Sequence, residues 1–191
     1  MRRHAANAVT ALRVLLTPVF LWSVATAGVR GHALLSAGLF AVIAGSDFLD
    51  GQLARALRSA SDAGRLLDHA SDICFVVASL SLYWWLGIIP WWVPASVVGA
   101  FVVYVGDSWR QREASAWVRL IGSRIGHIGG VLNYALIGIL VGNETLGIRL
   151  LPRGLLEAVF WLVPLYSGAA IASRLMPREA LRHHPRAPSR P

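Results

Sequence analysis

Residues 47–72 read DFLDGQLARALRSASDAGRLLDHASD and hold five of the ten acidic residues of the chain, among them Asp47, Asp50, Asp68 and Asp72. Long apolar segments flank this stretch on both sides. Acidic side chains are costly beside a hydrocarbon layer, and those that occur there usually mark a functional site. The stretch is therefore the first candidate for such a site.

The spacing of the four aspartates predicts two carboxylate pairs. Asp47 and Asp50 are three residues apart and Asp68 and Asp72 are four apart, so each pair shares one face of a helix. Polar and turn-forming residues at 58–64 predict two antiparallel helices with both pairs at one membrane face. Four clustered carboxylates repel one another. Two divalent cations would relieve that repulsion, and oxygen ligands suit Mg²⁺ or Mn²⁺.

Small and basic residues beside the aspartates indicate a bound phosphate. Gly51 and Gly64 lie within predicted helices, where glycine costs about 1 kcal/mol relative to alanine, so we expect a ligand to approach the backbone there. Arg55 can hold a phosphate. The alternative for Arg55 is a structural salt bridge to Asp47 or Asp50.

The pattern Asp-x2-Asp-Gly-x2-Ala-Arg-x8-Gly-x3-Asp-x3-Asp resembles the signature of the CDP-alcohol phosphatidyltransferases. The matching positions are Asp47, Asp50, Gly51, Ala54, Arg55, Gly64, Asp68 and Asp72. The resemblance implies a membrane enzyme of phospholipid biosynthesis with two bound divalent cations, Mg²⁺ or Mn²⁺. Such an enzyme transfers a phosphatidyl group from CDP-diacylglycerol to a small polar alcohol and releases CMP.

The same resemblance implies a role for each matching residue. Asp47, Asp50 and Asp68 would bind metal, whereas Asp72 would contribute to the second metal and take the proton of the acceptor hydroxyl. The CDP site would be lined by Gly51, Ala54, Arg55 and Gly64 and closed by Asn7 and Thr10. The segment Asn7-x2-Thr10-x2-Arg13 before the first apolar run is similar to that of bacterial phosphatidylglycerophosphate synthases.

The identity of the acceptor alcohol stays open. Relatives that use glycerol 3-phosphate carry a lysine where His127 stands, and they differ around Asp72 as well. Glycerol 3-phosphate, an inositol phosphate, serine and other polar alcohols all remain candidates. Arg119 and Arg124 could bind a sugar phosphate, and His127 could either pack or contact the acceptor. Family members are commonly homodimers, so a homodimer is possible here.

Composition predicts an all-α polytopic membrane protein. Of 191 residues 55% are hydrophobic, and the mean hydropathy is +0.55. Six apolar runs approach the length that spans a bilayer. They are residues 8–28, 32–58, 64–88, 91–104 (with a continuation to 109), 125–141 and 154–176. We expect one six-helix catalytic domain over residues 1–176 and a basic, proline-rich, disordered tail over 177–191.

Charge distribution predicts the orientation. The chain has a formal net charge of +8, which favours an anionic lipid surface over nucleic acid in so apolar a protein. Most of its 18 arginines fall on the side of the N-terminus and the aspartates. The positive-inside rule then places both termini and the active site on the cytoplasmic side of the inner membrane. Alternatively, residues 25–27 form a cleavage site and the first run is a signal peptide.

Other features predict packing, and two other functions compete with the transferase. Gly126, Gly129 and Gly130 would allow close helix packing. Trp84, Trp85, Trp91 and Trp92 would form an aromatic belt at the opposite interface. A divalent-cation transporter would explain the aspartates but not the glycines and Arg55. An intramembrane prenyltransferase would have two separated acidic motifs rather than one compact block.

Overall fold

The computed structural model describes residues 2–57, 62–110 and 124–175, with side chains at 10–46, 69–107 and 128–175. These ranges form six α-helices and contain no strand. The helices are α1 (Arg2–Ala25), α2 (His32–Leu57), α3 (Asp62–Trp85), α4 (Trp92–Arg110), α5 (Arg124–Leu140) and α6 (Arg153–Leu175), and a π-helical turn, Val141–Thr145, extends α5. The all-α prediction is confirmed, and each predicted run corresponds to one helix.

The helices alternate in direction. In α1 and α3, Arg13 meets Asp72 and, further along both helices, Phe20 packs on Phe75, so these two helices are parallel. Tyr134 of α5 meets Asp72, and Thr145 after α5 bonds to Tyr83 near the end of α3, so α5 has the same direction as α3.

The other three helices point the opposite way. Trp22 near the end of α1 contacts His32 at the start of α2, and α4 and α6 run parallel because they meet near both ends. Short connections favour such antiparallel neighbours. Two of these connections turn at Gly31 and Gly87, whose positive φ angles of 90° and 73° suit glycine.

An apolar core fills the space between the helices. Its fully buried members come from every helix except α6, which adds nearly buried Leu156, Phe160 and Val163. The larger ones are Phe20, Ile43, Phe75, Leu80, Tyr83, Val93, Leu136, Ile137 and Leu140. Gly138 of α5 lies so close to Phe40 of α2 that an added Cβ would fall 2.9 Å from its ring. Small residues therefore let these helices approach closely.

The glycine prediction for α5 is confirmed at one position and wrong at another. A Cβ on Gly129 would lie 3.1 Å from the ring of Tyr166 in α6, so this glycine does serve close packing. A Cβ on Gly130 would meet nothing within 4 Å. Gly126 has no described side-chain surroundings.

Large apolar side chains cover much of the outer surface of the bundle. Exposed examples occur on all six helices, among them Leu15, Leu34, Trp85, Val102, Val131 and Leu165. Within the described residues, one helix, Arg153–Leu175, is long and apolar enough on its own to cross a membrane. Shorter apolar segments occur at Thr10–Ala25, His32–Ser46 and Trp92–Asp107.

Candidate active site

The four aspartates of the motif lie on two neighbouring helices of the chain. The backbone is helical at all four positions, with Asp47 and Asp50 in α2 and Asp68 and Asp72 in α3. The predicted helical spacing of each pair is therefore confirmed for the backbone. Asp72 is the member whose side chain lies within the described residues.

The carboxylate of Asp72 forms an ion pair with Arg13 across the α1–α3 interface. Nη1 of Arg13 donates to Oδ1 of Asp72, and the same nitrogen lies 3.1 Å from Oγ of Ser71. Arg13 is 1% exposed, whereas 22% of the Asp72 side chain remains accessible. A buried guanidinium without a carboxylate would cost several kcal/mol, so its burial depends on this pairing. Part of the Asp72 side chain therefore remains reachable.

A row of aromatic rings supports this ion pair from the core side. Phe20 of α1 packs on Phe75 of α3 at 5.4 Å between ring centroids, and Phe75 stacks on Tyr134 of α5 at 5.5 Å. The hydroxyl of Tyr134 donates to Oδ1 of Asp72 at 3.4 Å. The same three helices thus meet twice, once through polar groups and once through aromatic rings.

A second polar contact joins α5 and α6 beside this site. The hydroxyl of Tyr166 donates to Oδ1 of Asn133, which is buried next to Tyr134. A buried amide needs such a partner, because an unsatisfied one costs about 1–3 kcal/mol. This contact holds α5 in the rotation that turns Tyr134 toward Asp72.

Another ion pair lies at the same end of the bundle, between α4 and α6. Nη1 of Arg174 is 3.1 Å from Oδ2 of Asp107, and its guanidinium lies 4.4 Å from the ring centroid of Tyr104. The ring of His69, one residue after Asp68, is 5.3 Å from that of Tyr104. Asp107 is therefore an ion-paired residue between α4 and α6.

The other predicted site residues are described less fully. Thr10 is buried on α1, one turn before Arg13, as a position lining the site requires. Asn7, Gly51, Ala54, Arg55, Gly64, Arg124 and His127 have a described helical backbone but lie outside the described side chains. Arg119 lies outside the described residues altogether. The roles predicted for these residues remain predictions.

Of the four aspartates predicted to bind divalent cations, Asp72 is the one whose side chain can be tested as a metal ligand. Its carboxylate oxygens are the hard ligands that Mg²⁺ and Mn²⁺ prefer, and part of the carboxylate is accessible. Among the side chains that the structure describes, no three of His, Cys, Asp or Glu lie together as a metal site. The carboxylates of Asp47, Asp50 and Asp68 fall outside that set.

Comparison with known proteins decides the family. The sequence model described as CDP-alcohol phosphatidyltransferase matches residues 3–167, which include the motif and all six helices except Arg2 of α1 and the end of α6. The chain belongs to the CDP-alcohol phosphatidyltransferase family. The match favours this family over the cation-transporter and prenyltransferase alternatives, and members of this family are membrane-associated proteins that use divalent metal ions.

Curated relatives within this family are similar over about half of the chain. The "Cardiolipin synthase (CMP-forming)" of Streptomyces coelicolor is 36% identical over 92 residues, 46% of this chain and 41% of the relative. A "Probable phosphatidylglycerophosphate synthase" of Mycobacterium tuberculosis is 32% identical over 97 residues, 50% of this chain and 46% of the relative.

A third relative carries the donor and the acceptor in its name. The "CDP-diacylglycerol--glycerol-3-phosphate 3-phosphatidyltransferase" of Pseudomonas fluorescens is 36% identical over 84 residues, 40% of this chain and 38% of the relative. The matched regions therefore span less than half the length of these relatives.

The sequence did not predict that Arg13 and Tyr134 contact Asp72. Arg13 belongs to the N-terminal Asn-x2-Thr-x2-Arg pattern, and a lone arginine inside an apolar run signals a buried partner. Tyr134 carries no comparable signal, because a tyrosine in an apolar helix is ordinary in sequence. Its place beside Asp72 depends on the rotation of α5.

Proposed function

We propose that this protein is an integral membrane enzyme that transfers a phosphatidyl group from CDP-diacylglycerol to a polar alcohol. The alcohol is of the glycerol 3-phosphate or inositol phosphate type, and CMP is released. The observation that carries the proposal is the family match over residues 3–167, which contains all eight signature positions. A second observation supports the proposal. The buried charge of Arg13 pairs with Asp72, the residue that the family signature assigns to deprotonation of the acceptor.

The reaction is a substitution at phosphorus. The acceptor oxygen bonds to the phosphorus that carries diacylglycerol, the pyrophosphate P–O bond breaks, and CMP leaves with the bridging oxygen. The proton of the acceptor hydroxyl passes to the carboxylate of Asp72. Such a base must lie within hydrogen-bond reach of its proton, and Asp72 keeps an accessible edge for that contact.

The remaining signature residues are proposed to bind the donor. Asn7, Thr10, Gly51, Ala54, Arg55 and Gly64 would form the CDP site. Two Mg²⁺ or Mn²⁺ ions held by Asp47, Asp50, Asp68 and Asp72 would supply charge neutralisation at the pyrophosphate. Buried Thr10 supports this assignment, because it lies on the same helix as Arg13 and one turn away.

The names of the relatives point to more than one acceptor alcohol. One relative is named for transfer to glycerol 3-phosphate and another for the CMP-forming synthesis of cardiolipin. The proposed acceptor-binding residues are Arg124 and His127 in the first turn of α5, and Arg119, which precedes them in the sequence. Arg119→Ala and Arg124→Ala should raise the KM for a phosphorylated acceptor, and an unchanged KM in both variants would remove them from the site.

The outer surface supports insertion into a bilayer. Exposed leucine, valine and tryptophan side chains on all six helices would be unfavourable in water and favourable in lipid. We propose that the six helices together span the membrane and that both termini and the aspartates lie on the cytoplasmic side. Of the four tryptophans predicted for the aromatic belt, Trp84, Trp85 and Trp91 are exposed toward the end away from Asp72. Trp92 is half-buried and stacks on Trp161, so the prediction is wrong for this residue. A homodimer remains a prediction from the family.

The experiment that tests the function is CMP release from CDP-diacylglycerol by purified protein in detergent with Mg²⁺ or Mn²⁺. The acceptors are glycerol 3-phosphate, inositol, inositol 1-phosphate, serine and phosphatidylglycerol, each tested alone. CMP release that requires both metal and one of these alcohols is expected. Metal uptake into vesicles without CMP release would instead support the cation transporter.

A further inference from the structure

Helices on two sides of α3 contact the same oxygen of Asp72. Arg13 of α1 and Tyr134 of α5 both donate to Oδ1. The two contacts approach from different helices, so together they restrict the rotation of the carboxylate about its side-chain bonds. A solvent-exposed aspartate would lack this restriction.

The Arg13 contact is rigid because the guanidinium has little freedom. It is buried, its planar fork fixes the direction of each N–H group, and it also contacts Ser71, the residue before Asp72. Arg13 therefore fixes two successive residues of α3 relative to α1. Lysine would preserve the charge but not the geometry of the fork.

The Tyr134 contact is held by the aromatic row beneath it. The ring of Tyr134 stacks on buried Phe75 with 28° between the ring planes, and Phe75 packs in turn on buried Phe20. Tyr166 bonds to the neighbouring Asn133 and fixes α5 from the other side. The distance of 3.4 Å from the hydroxyl to Oδ1 is long for a hydrogen bond. Catalytic hydrogen bonds are often long before the substrate complex forms.

We propose that Arg13 and Tyr134 are positioning residues, which hold the carboxylate of Asp72 in the orientation that takes the proton from the acceptor. This inference rests on the proposed role of Asp72 as base. Errors of about 1 Å in the placement of a reacting group can cost about 100-fold in rate. Both residues therefore act on turnover through Asp72, and they leave the binding of CDP-diacylglycerol largely unchanged.

Steady-state kinetics of Arg13→Met, Arg13→Lys and Tyr134→Phe test the proposal at saturating Mg²⁺. Arg13→Met should lower kcat about 10–100-fold and leave the KM for CDP-diacylglycerol within about twofold. Arg13→Lys should recover part of the loss, because it keeps the charge. Tyr134→Phe should lower kcat about 2–10-fold, as expected for the loss of one long hydrogen bond.

Matched controls come from the ion pair between α4 and α6. Arg174→Met removes an arginine from a comparable interhelical pair, and Tyr104→Phe removes a hydroxyl that makes no contact with Asp72. Both should keep the kcat of the folded protein, although Arg174→Met should lower its Tm. If Arg13→Met likewise lowers Tm and keeps kcat, Arg13 is structural only and the proposal is wrong. A large rise in the KM for CDP-diacylglycerol at unchanged kcat would also contradict it, because Arg13 would then bind the donor.

Asp72→Asn separates failure of this inference from failure of the proposed base. If Asp72→Asn keeps turnover, the base assignment is wrong and the positioning role falls with it. If Asp72→Asn loses turnover while Arg13→Lys and Tyr134→Phe behave as the unmodified protein, turnover requires Asp72 and positioning is refuted. If Arg13→Met does not fold, Arg13→Lys and Tyr134→Phe still decide the question.

Discussion

Among the side chains that the structure describes, two interhelical ion pairs place charge inside the bundle. Arg13–Asp72 joins α1 to α3, and Arg174–Asp107 joins α4 to α6. The Arg13 side chain is fully enclosed, whereas that of Arg174 is 10% exposed. Removing one partner of such a pair leaves a charge that must be solvated or neutralised. Both pairs join an arginine to an aspartate, but we expect Arg13–Asp72 to serve catalysis and Arg174–Asp107 to serve stability.

Loss of the Arg174–Asp107 pair should affect stability and not catalysis. Asp107→Asn keeps the size of the side chain and removes its charge, so the free energy of unfolding should fall by about 1–3 kcal/mol. Thermal unfolding in detergent, with CMP release measured on the folded fraction, checks both expectations. Ser173→Ala, which removes an exposed hydroxyl bonded to its own helix, is the control and should change neither quantity. A large loss of turnover in Asp107→Asn would place this pair in the active site.

The aspartates could be predicted residue by residue, but their contacts could not. Spacing of three and four residues determines a shared helix face, and the motif determines the chemistry of that face. The pairing of Asp72 with Arg13 depends on the depth and rotation of α1 relative to α3. Such long-range packing is absent from local sequence, so Arg13 could be recognised only as a charge that needed a partner.

At the scale of the helices, α5 packs so closely against α2 that one of its positions admits only glycine without a shift of its neighbour. A Cβ on Gly138 would collide with the ring of Phe40, whereas one on Gly130 would meet open space. The sequence predicted close packing at several glycines of α5, and it could not tell which ones face a neighbour. That distinction depends on the helix rotation set by the core residues Leu136, Ile137 and Leu140.

Gly138→Ala and Gly130→Ala should therefore change stability in different ways. Gly138→Ala should destabilise the protein by about 1–3 kcal/mol, because a rigid ring must move to admit the methyl group. Gly130→Ala should be neutral or stabilise by up to about 1 kcal/mol through helix propensity. Denaturant or thermal unfolding in the same detergent compares the pair. Equal effects at both positions would contradict the described packing of α5 against α2.

For the whole molecule, the six apolar runs predicted the six helices well. Length and hydropathy determine where an apolar helix can begin and end, and glycines such as Gly31 and Gly87 mark two of the connections. Which helices pack against each other was less predictable. The parallel contacts of α1 with α3 and of α4 with α6 join segments far apart in the chain, and no local pattern encodes them.

The proposed orientation predicts which loops are accessible from outside the cell. Because Cys74 is the single native cysteine, a Cys74→Ser background allows one new thiol to be followed. Val29→Cys, in the connection between α1 and α2, should react with a membrane-impermeant maleimide in intact cells. Ser189→Cys, near the C-terminus, should react only after the membrane is permeabilised. The reverse pattern would show that the aspartates face outward.

Metal removal should stop the reaction without unfolding the protein. CMP release should fall to background in EDTA and return with excess Mg²⁺ or Mn²⁺, because the pyrophosphate charge would otherwise remain unscreened. Circular dichroism should show unchanged helix content during this cycle, since the apolar core does not depend on the metal. Full CMP release in EDTA would rule out the proposed metal-dependent chemistry.

Turnover of Asp72→Asn tests the central claim most directly. CMP release from CDP-diacylglycerol and the affinity for that lipid should be measured together, with Asp107→Asn as the matched control. The account predicts that Asp72→Asn binds CDP-diacylglycerol yet loses at least about 100-fold in turnover, as expected when a general base is removed. Asp107→Asn should retain both properties. Near-normal CMP release by Asp72→Asn would contradict the account.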